Sequence, residues 1–445
     1  MSAKKQLELI KKSKLYFGQL EKKNINLLSS SFTFLSPWVE TPGYGKLLIW
    51  SYGYKKIFQI IKIILKSILS ILKINEYVVY NNLIQTTKTN KIVISYSRKY
   101  CFLENGSYSD EYFKMNSRDD IDLSWILISQ DNYVPRKLDE NIHIIYTENR
   151  AFFKRLYFFI KLLIKLLIAK KLNLIKVIHE FTVSTVQANI IANKVRKILS
   201  NNLDKIIIPY EAQPLHLSLY KVAKDKNIKC LTIGYIHSSL PSFPIDTIYR
   251  TGSPDILFVH GQQIKDILVN YFFWPVDKIR LIRSIRFHKN IKNNFSNKIL
   301  LPYSFNYSQL LLQTFKNYIN TISKESFSNY IVQIHPEKKI SKKHLKFKKQ
   351  IKQILDNRNY SLSSNKVIIF GSTSTVVLAL ELGYSVIHIV CDPLMEVFYD
   401  EIWENIVSKK INKYIYEYKL RKKNSFIDFG SSEKTLTYYL DNINK

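Results

Sequence analysis

The chain has 445 residues, more than one ordinary hydrophobic core accommodates, so we expect two domains of about 150 to 250 residues. Its 67 Lys and Arg residues against 35 Asp and Glu give a formal net charge of +32, which indicates an anionic partner, either nucleic acid or an acidic membrane surface. The three cysteines are far apart in the sequence, which excludes a disulfide or zinc framework and indicates a reducing compartment.

The N-terminal segment is predicted to be a helix over residues 4–21, followed by an aromatic loop over 32–54. Charged and apolar residues alternate in this helix, so it does not resemble a signal peptide. No stretch of eighteen or more uncharged apolar residues follows, and we therefore predict no membrane-spanning helix. The expected location is the cytoplasm.

Two further predicted helices, over residues 55–73 and 151–171, combine a wide apolar surface with a narrow edge of lysines. Lys62, Lys66, Lys161 and Lys165 belong to these edges. One interpretation is that both helices pack on a sheet with their lysines outward. The other is that they lie on an anionic inner-membrane surface, as interfacial helices do. This second interpretation favours a membrane over nucleic acid as the anionic partner, and it predicts peripheral association with the inner membrane.

The rest of the chain alternates predicted strands and helices, which is typical of a doubly wound parallel α/β sheet. Residues 1–287 are predicted to form one Rossmann-like domain, and residues 298–420 a second. Residues 288–297 are polar without an apolar period and are the expected linker. Trailing helices are predicted over 396–445, with residues 421–445 packing back on the first domain. The predicted strands of the first domain lie at 92–96, 125–129, 142–146 and around Ile206, Leu231 and Ile256; those of the second lie at 299–303, 330–334, 367–370 and 386–390.

Two strand ends in the second half point to one anion site. One strand ends at His335 and Pro336, where proline stops the strand. The other ends at Gly371 and runs into Ser372, Thr373 and Ser374 at the start of a predicted helix. Hydroxyls and unpaired backbone N–H groups at such a turn suit a phosphate.

Two strand ends in the first half carry candidate acid–base groups. Glu211 follows an apolar strand in the segment Pro209-Tyr-Glu-Ala-Gln-Pro214, and His237 follows the next strand in Gly234-Tyr-Ile-His-Ser238. Ligands of open α/β sheets lie at the carboxyl ends of the strands, which is where both side chains are expected.

The order and spacing of these motifs resemble bacterial surface-polysaccharide glycosyltransferases of the GT-B fold, such as polysialyltransferases and capsule Kdo transferases. The resemblance covers roughly residues 200–395. It implies two Rossmann-like domains facing a cleft and a donor that is a nucleotide sugar, CMP-linked Kdo or sialic acid. The acceptor would be a glycan or lipid-linked glycan. One departure is that Ile236-His237-Ser238 stands where the family pattern has Gln-His-Gly or Gln-His-Ala.

The resemblance also implies roles for the site residues. His335, Ser372, Thr373 and Ser374 would hold the donor phosphate, in a site that also contains Pro336 and Gly371. Asp392 is predicted to contact the donor from its own position, after the predicted strand at 386–390. Glu211 is the predicted general base, with His237 as the alternative. No metal or other cofactor is expected, and Asp120 and Asp122 are interpreted as a solvated surface pair rather than a metal motif.

Two other functions remain open from the sequence. A related GT-B enzyme, such as a CDP-glycerol glycerophosphotransferase or a sugar epimerase, would use a different donor chemistry. A non-catalytic basic module on nucleic acid or membrane would explain the charge, but it leaves the paired motifs without a role.

Overall fold

The computed structural model describes residues 3–22, 75–80, 89–148, 152–168, 183–288, 295–303, 308–321, 330–335, 338–356, 365–371, 373–423, 425–430 and 435–443. These residues form a mixed α/β protein with two large, mainly parallel sheets. The predicted helix at 55–73, the loop at 32–54 and the central part of the predicted linker lie outside the described residues.

The first sheet has eight strands: β1 (Glu76–Tyr80), β2 (Lys91–Ser97), β3 (Leu123–Ser129), β4 (Ile142–Glu148), β5 (Lys205–Pro209), β6 (Leu231–Tyr235), β7 (Ile256–Val259) and β8 (Ile279–Leu281). Their order across the sheet is β1-β4-β3-β2-β5-β6-β7-β8. All neighbours pair in parallel except β1, which is antiparallel to β4 at one edge. Every residue of β3 is buried, as expected for a strand covered on both faces.

Five helices accompany this sheet: α1 (Ala3–Lys22), α2 (Phe152–Ile168), α3 (Val183–Ile198), α4 (Pro214–Lys226) and α5 (Gln262–Phe272). The sequence correctly predicted α1, α2 and strands β2 to β7, whereas β1 and β8 were missed. The segments that join β2 to β3 and β3 to β4 contain no α-helix. The first of them is held by Asp110, a buried carboxylate that accepts hydrogen bonds from the backbone N–H groups of Tyr112 and Phe113.

The second sheet has six strands: β10 (Lys298–Leu300), β11 (Ile331–Gln333), β12 (Lys366–Phe370), β13 (Ser385–Ile389), β14 (Ile406–Asn412) and β15 (Ile415–Leu420). Their order is β11-β10-β12-β13-β15-β14, and the first four are parallel. The helices of this half are α6 (Ser308–Thr321), α7 (Lys342–Asp356), α8 (Thr375–Glu381) and α9 (Pro393–Glu396).

The prediction of trailing helices over 396–445 was wrong for residues 406–420, which form the antiparallel hairpin β14–β15. In β15, Tyr416 and Tyr418 are buried on one face of the strand, whereas Lys419 on the other face is exposed. Such alternation is typical of a strand. Aromatic and β-branched residues favour a half-buried pleated strand, and this propensity decides the hairpin.

After the hairpin the chain returns to the first half. Strand β16 (Phe429–Gly430) pairs with β9 (Ser284–His288) in a separate two-stranded sheet. Helix α10 (Leu436–Asp441) follows, and its Leu436 and Leu440 belong to the same hydrophobic cluster as Trp125 of β3. The final segment therefore completes the core of the first sheet.

The two halves also touch through the loop after β6 and the helix after β13. The hydroxyl of Ser242 donates to the carbonyl oxygen of Met395 at 2.9 Å, and the indole N–H of Trp403 donates to the carbonyl oxygen of Ser242 at 3.0 Å. One hydrophobic cluster contains both Ile206 of the first sheet and Ile369 of the second. Within the described part of the chain, none of the helices has the length and apolar character needed to cross a bilayer.

Candidate functional site

The order of strands in the first sheet defines a crevice. From β2 the chain proceeds outward through β3 to β4, and from β5 it proceeds through β6 to β7 in the opposite direction. Ligands of open α/β sheets bind at such a reversal, outside the carboxyl ends of the strands. Here the reversal lies between β2 and β5, and Glu211 comes two residues after β5 ends.

Glu211 and His237 lie side by side because of the register of their strands. Pro209 of β5 pairs with Tyr235 of β6, so the residues two positions further along each strand are neighbours. Nε2 of His237 lies 3.8 Å from Oε1 of Glu211. The side chain of Glu211 is 40% exposed and that of His237 only 8%, so the carboxylate is the more accessible group.

Local hydrogen bonds hold the Glu211 segment. Gln213 donates from Nε2 to Oε2 of Glu211 at 2.6 Å, and the backbone N–H of Glu211 donates to Nδ1 of His216 at 3.2 Å. Because Nδ1 of His216 accepts, its Nε2 carries the proton and donates to the hydroxyl of Tyr96, 3.0 Å away at the end of β2. Ala212 has a positive φ of 53°, a left-handed conformation that non-glycine residues rarely adopt outside constrained sites.

Burial keeps both histidines neutral. It lowers the pKa of His216 to about 3. The pKa of His237 is also well below its ordinary value, chiefly because of burial and then because of the nearby Arg286 charge. The contact between His237 and Glu211 is therefore that of a neutral imidazole with a carboxylate, not an ion pair. Of the two candidate bases, Glu211 is the one that is both accessible and charged.

Aromatic and cationic groups complete this site. The ring of Tyr112 lies edge-on to the His237 ring, with centroids 4.6 Å apart. The guanidinium of Arg286, on β9, lies 5.8 Å from the centroid of Tyr112. Burial raises the pKa of Tyr112 well above its ordinary value, and the Glu211 charge raises it further, so its hydroxyl stays protonated.

Sequence reasoning missed Tyr96, Tyr112, His216 and Arg286. His216 had a local signal, because it lies in the first turn of the helix that follows Glu211. The other three come from distant segments, and only the fold brings them to the site.

The predicted phosphate residues lie at the corresponding reversal in the second sheet, between β10 and β12. Leu300 of β10 pairs with Gln333 of β11, while the same residue pairs with Ile369 of β12. Two residues beyond these pairs are Pro302, His335 and Gly371, so the sheet places His335 and Gly371 on either side of Pro302. Pro336 and Ser372 lie outside the described residues.

A lysine that the sequence did not single out accompanies His335. The backbone N–H of Lys338 donates to the carbonyl oxygen of His335 at 2.8 Å, and its Nζ lies 3.9 Å from the centroid of the Tyr303 ring. The rings of Tyr303 and His335 meet edge to face at 5.3 Å. A cation and an imidazole are thus held around one aromatic ring.

The turn after β12 is shaped by Gly371 and two threonines. Gly371 has a φ of +64°, which favours glycine, and an added Cβ would lie 3.1 Å from Pro302. The hydroxyl of Thr373 accepts from the backbone N–H of Thr375 at 3.2 Å. Ser374 is the N-cap residue of α8, but its side chain makes no capping hydrogen bond.

The two remaining acidic candidates have visible structural contacts. Oδ1 of Asp392 accepts from the backbone N–H of Leu394 at 3.0 Å and so caps α9, although the residue itself is exposed. Asp120 accepts from the hydroxyl of Thr437 at 2.7 Å and from the backbone N–H of Asp122 at 2.9 Å. Among the residues that the structure describes, no group of three or more His, Cys, Asp or Glu side chains is arranged to hold a metal ion.

No protein-family model matches the chain, and no curated protein matches it at a significant level. The resemblance to polysaccharide transferases therefore rests on the sequence motifs alone.

Proposed function

We propose that the protein is a glycosyltransferase of the GT-B type, in which the two parallel sheets turn the carboxyl ends of their strands toward a common cleft. The contact of Ser242, in the loop after β6, with Met395, in the helix after β13, supports this arrangement. The loop of Ser242 follows the carboxyl end of β6, and the helix of Met395 follows the carboxyl end of β13. The proposed donor is a nucleotide sugar, CMP-linked Kdo or sialic acid, and the proposed product is a cell-surface polysaccharide or lipid-linked glycan.

The observation that carries the proposal is the pair of Glu211 and His237 at the reversal of the first sheet. In the proposed reaction, the acceptor hydroxyl oxygen forms a bond to the anomeric carbon while its proton passes to the Glu211 carboxylate. The bond between the anomeric carbon and the phosphate oxygen breaks, and its electron pair leaves with the nucleoside monophosphate. Because the acceptor oxygen displaces the leaving group directly, with Glu211 as the only base, the configuration at the anomeric carbon is inverted.

His237 then has a positioning role. Burial lowers the pKa of His237 and leaves its side chain only 8% exposed, so proton removal is assigned to the more accessible carboxylate of Glu211. Nε2 of His237 faces the carboxylate, and its ring packs against Tyr112. Both contacts fix the direction in which Glu211 approaches the acceptor.

The leaving phosphate is assigned to the second reversal. His335 and Lys338 follow β11, and the turn of Gly371, Thr373 and Ser374 follows β12, on the two sides of β10. Preorganised donors of this kind stabilise developing negative charge. Ser372 and Pro336 complete the sequence motif, and Asp392 is assigned to the sugar or nucleoside portion of the donor.

Glu211→Gln tests this assignment. The variant keeps the size and hydrogen-bonding reach of the side chain but cannot take the proton, so turnover should fall by about 10² to 10⁴. Binding of the nucleotide should persist, because the phosphate site belongs to the second sheet. A saturating nucleotide should raise the unfolding free energy of both proteins equally, by about 2.7 kcal/mol at a hundred times its Kd.

The measurement combines sugar transfer with thermal shift on a panel of CMP, CDP, UDP and GDP. Glu104→Gln, on an exposed residue of the loop after β2, is the matched control and should behave as wild type. Undiminished transfer by Glu211→Gln would remove Glu211 from the reaction. If none of the four nucleotides stabilises the wild-type chain, the proposed donor class is wrong.

A further inference from the structure

Helix α2 exposes one broad apolar face. Nine of its 17 residues are large hydrophobic side chains with substantial exposure, from 38% for Leu163 to 86% for Leu167. At 3.6 residues per turn they fall within one arc of about 160°. Leu162, on the opposite side, is 1% exposed and fixes the helix to the protein. The nine are Phe152, Phe153, Leu156, Tyr157, Ile160, Leu163, Ile164, Leu167 and Ile168.

Positive charge borders this face. The helix contains four basic residues, Lys154, Arg155, Lys161 and Lys165, and no Asp or Glu. Successive positions at 100° intervals place Lys161 and Lys165 together along one edge of the apolar arc. Lys161 is exposed, and its Nζ lies 5.6 Å from the centroid of the Tyr157 ring.

Exposed apolar patches of this kind mark interaction surfaces, and the border of charge identifies the partner. A second copy of the chain would bring two cationic edges together, within a molecule that already carries a net charge of +32. A bilayer with anionic lipid instead accepts the apolar face among its acyl chains and the lysines among its headgroups. A helix of 17 residues is about 25 Å long, shorter than the hydrocarbon core, so it suits the plane of the interface.

We propose that α2 is a membrane-docking helix that lies in the headgroup region of an anionic bilayer, with its nine-residue apolar face turned to the lipid. This inference goes beyond the proposed sugar transfer and does not depend on the donor. It also chooses between the two interpretations of residues 151–171 that the sequence left open.

The test is co-sedimentation of the full-length chain with vesicles of phosphatidylcholine, with or without phosphatidylglycerol. Wild type should pellet with the anionic vesicles at low salt and be partly released as salt is raised. Phe153→Glu and Leu167→Glu change side chains that are 81% and 86% exposed, so both variants should fold normally. Each should weaken partitioning by about tenfold or more, because a large apolar group no longer enters the lipid.

Two matched controls separate this face from the overall charge. Ile228→Glu and Ile340→Glu alter isoleucines that are 82% and 92% exposed outside α2, with the same change of charge. They should bind vesicles nearly as wild type does. Wild-type protein that stays in the supernatant at low salt overturns the proposal, as does equal loss of binding in all four variants.

Sedimentation velocity without lipid tests self-association as the rival use of the face. The proposal expects the wild type and the two α2 variants to have the same mass. A wild-type dimer that the α2 substitutions convert to monomer, while vesicle binding is unchanged, would make the face a contact between copies instead.

Discussion

Among single residues, those around Glu211 show how the site is kept in place. Ala212 holds a left-handed conformation that costs a residue with a Cβ about 1 to 2 kcal/mol. The hydrogen bonds from Gln213 to Glu211 and from Glu211 to His216 offset that cost. These hydrogen bonds fix the direction of the carboxylate, as the proposed proton transfer requires.

His335→Ala is expected to lower turnover by about 10² to 10³, the effect of losing one preorganised donor to a developing anion. His335 is only partly buried, so the fold should persist. Steady-state rates and the circular dichroism spectrum together measure both effects. His143→Ala removes a histidine from the buried body of β4 and is the contrasting control, which should lose stability rather than turnover per folded molecule.

Near-normal turnover in His335→Ala would exclude His335 from the stabilisation of the leaving phosphate. Lys338, whose ammonium group lies over the same Tyr303 ring that His335 contacts, would then be the expected partner of the leaving phosphate.

Among the elements, the segment between β15 and β16 depends on one buried carboxylate. Oε1 of Glu381, at the end of α8, accepts from the backbone N–H groups of Ser425, Phe426 and Ile427. Gly261 lies directly against the carbonyl group of Phe426. The second half of the protein thus holds this segment, while a glycine of the first half makes room for it.

Gly261→Ala should destabilise the protein by about 1 to 3 kcal/mol, the usual cost of overpacking, because the added Cβ would collide with the Phe426 backbone. The cause is steric and not conformational, since the φ of Gly261 is −167°, which any residue adopts. Urea unfolding measures the change. Limited proteolysis should show faster cleavage near residue 426.

Gly18→Ala, within α1, is the matched control. Apart from its chain neighbours and the backbone of its own helix, no atom of the described residues lies within 4 Å of its added Cβ. Alanine favours a helix over glycine by about 1 kcal/mol. This variant should be as stable as wild type or more so. Equal stability of both variants would show that residues near Phe426 move aside without cost.

Patterns along the chain predicted most parallel strands, because β3 and β5 are continuous apolar runs of the length that buried strands have. They failed for β14 and β15, where helices were predicted. The polar residues of β14, such as its lysines and asparagine, interrupt an apolar pattern, and the alternation of Tyr416 and Tyr418 in β15 was not recognised. In the candidate site they found Glu211 and His237, since each directly follows a strand. Arg286 was not predictable, because its place beside Tyr112 depends on the path of β9 across the fold.

For the whole molecule, buried histidines make stability depend on pH. Burial lowers the pKa of His143, His260 and His388 to about 4 and that of His216 to about 3, and it also lowers the pKa of His237. In the unfolded chain these groups titrate near 6.5. At pH values between the folded and the unfolded pKa of each histidine, the unfolded state binds more protons than the folded state does. The unfolding free energy therefore decreases as the pH falls below about 6.5.

We expect the unfolding free energy to fall by an amount on the order of 5 kcal/mol between pH 6.5 and pH 5, with each histidine contributing up to about 1.4 kcal/mol per pH unit. Glu396 opposes this trend, because burial raises the pKa of its carboxyl to about 7 and the folded state retains that proton. Urea unfolding at a series of pH values gives the slope. His143→Gln should reduce the slope by about one proton, and a flat profile over this range would contradict the burial of these imidazoles.

The return of the final segment to the first sheet has a consequence for biosynthesis. Leu436, Leu440 and Ile443 fill a core otherwise built from residues before β10, so that core stays incomplete until residues 436–443 emerge from the ribosome. At ordinary translation rates the delay is on the order of ten seconds or more. Nascent chains stopped before residue 425 should therefore need chaperone protection of the first sheet, and emergence of residues 436–443 should end that need.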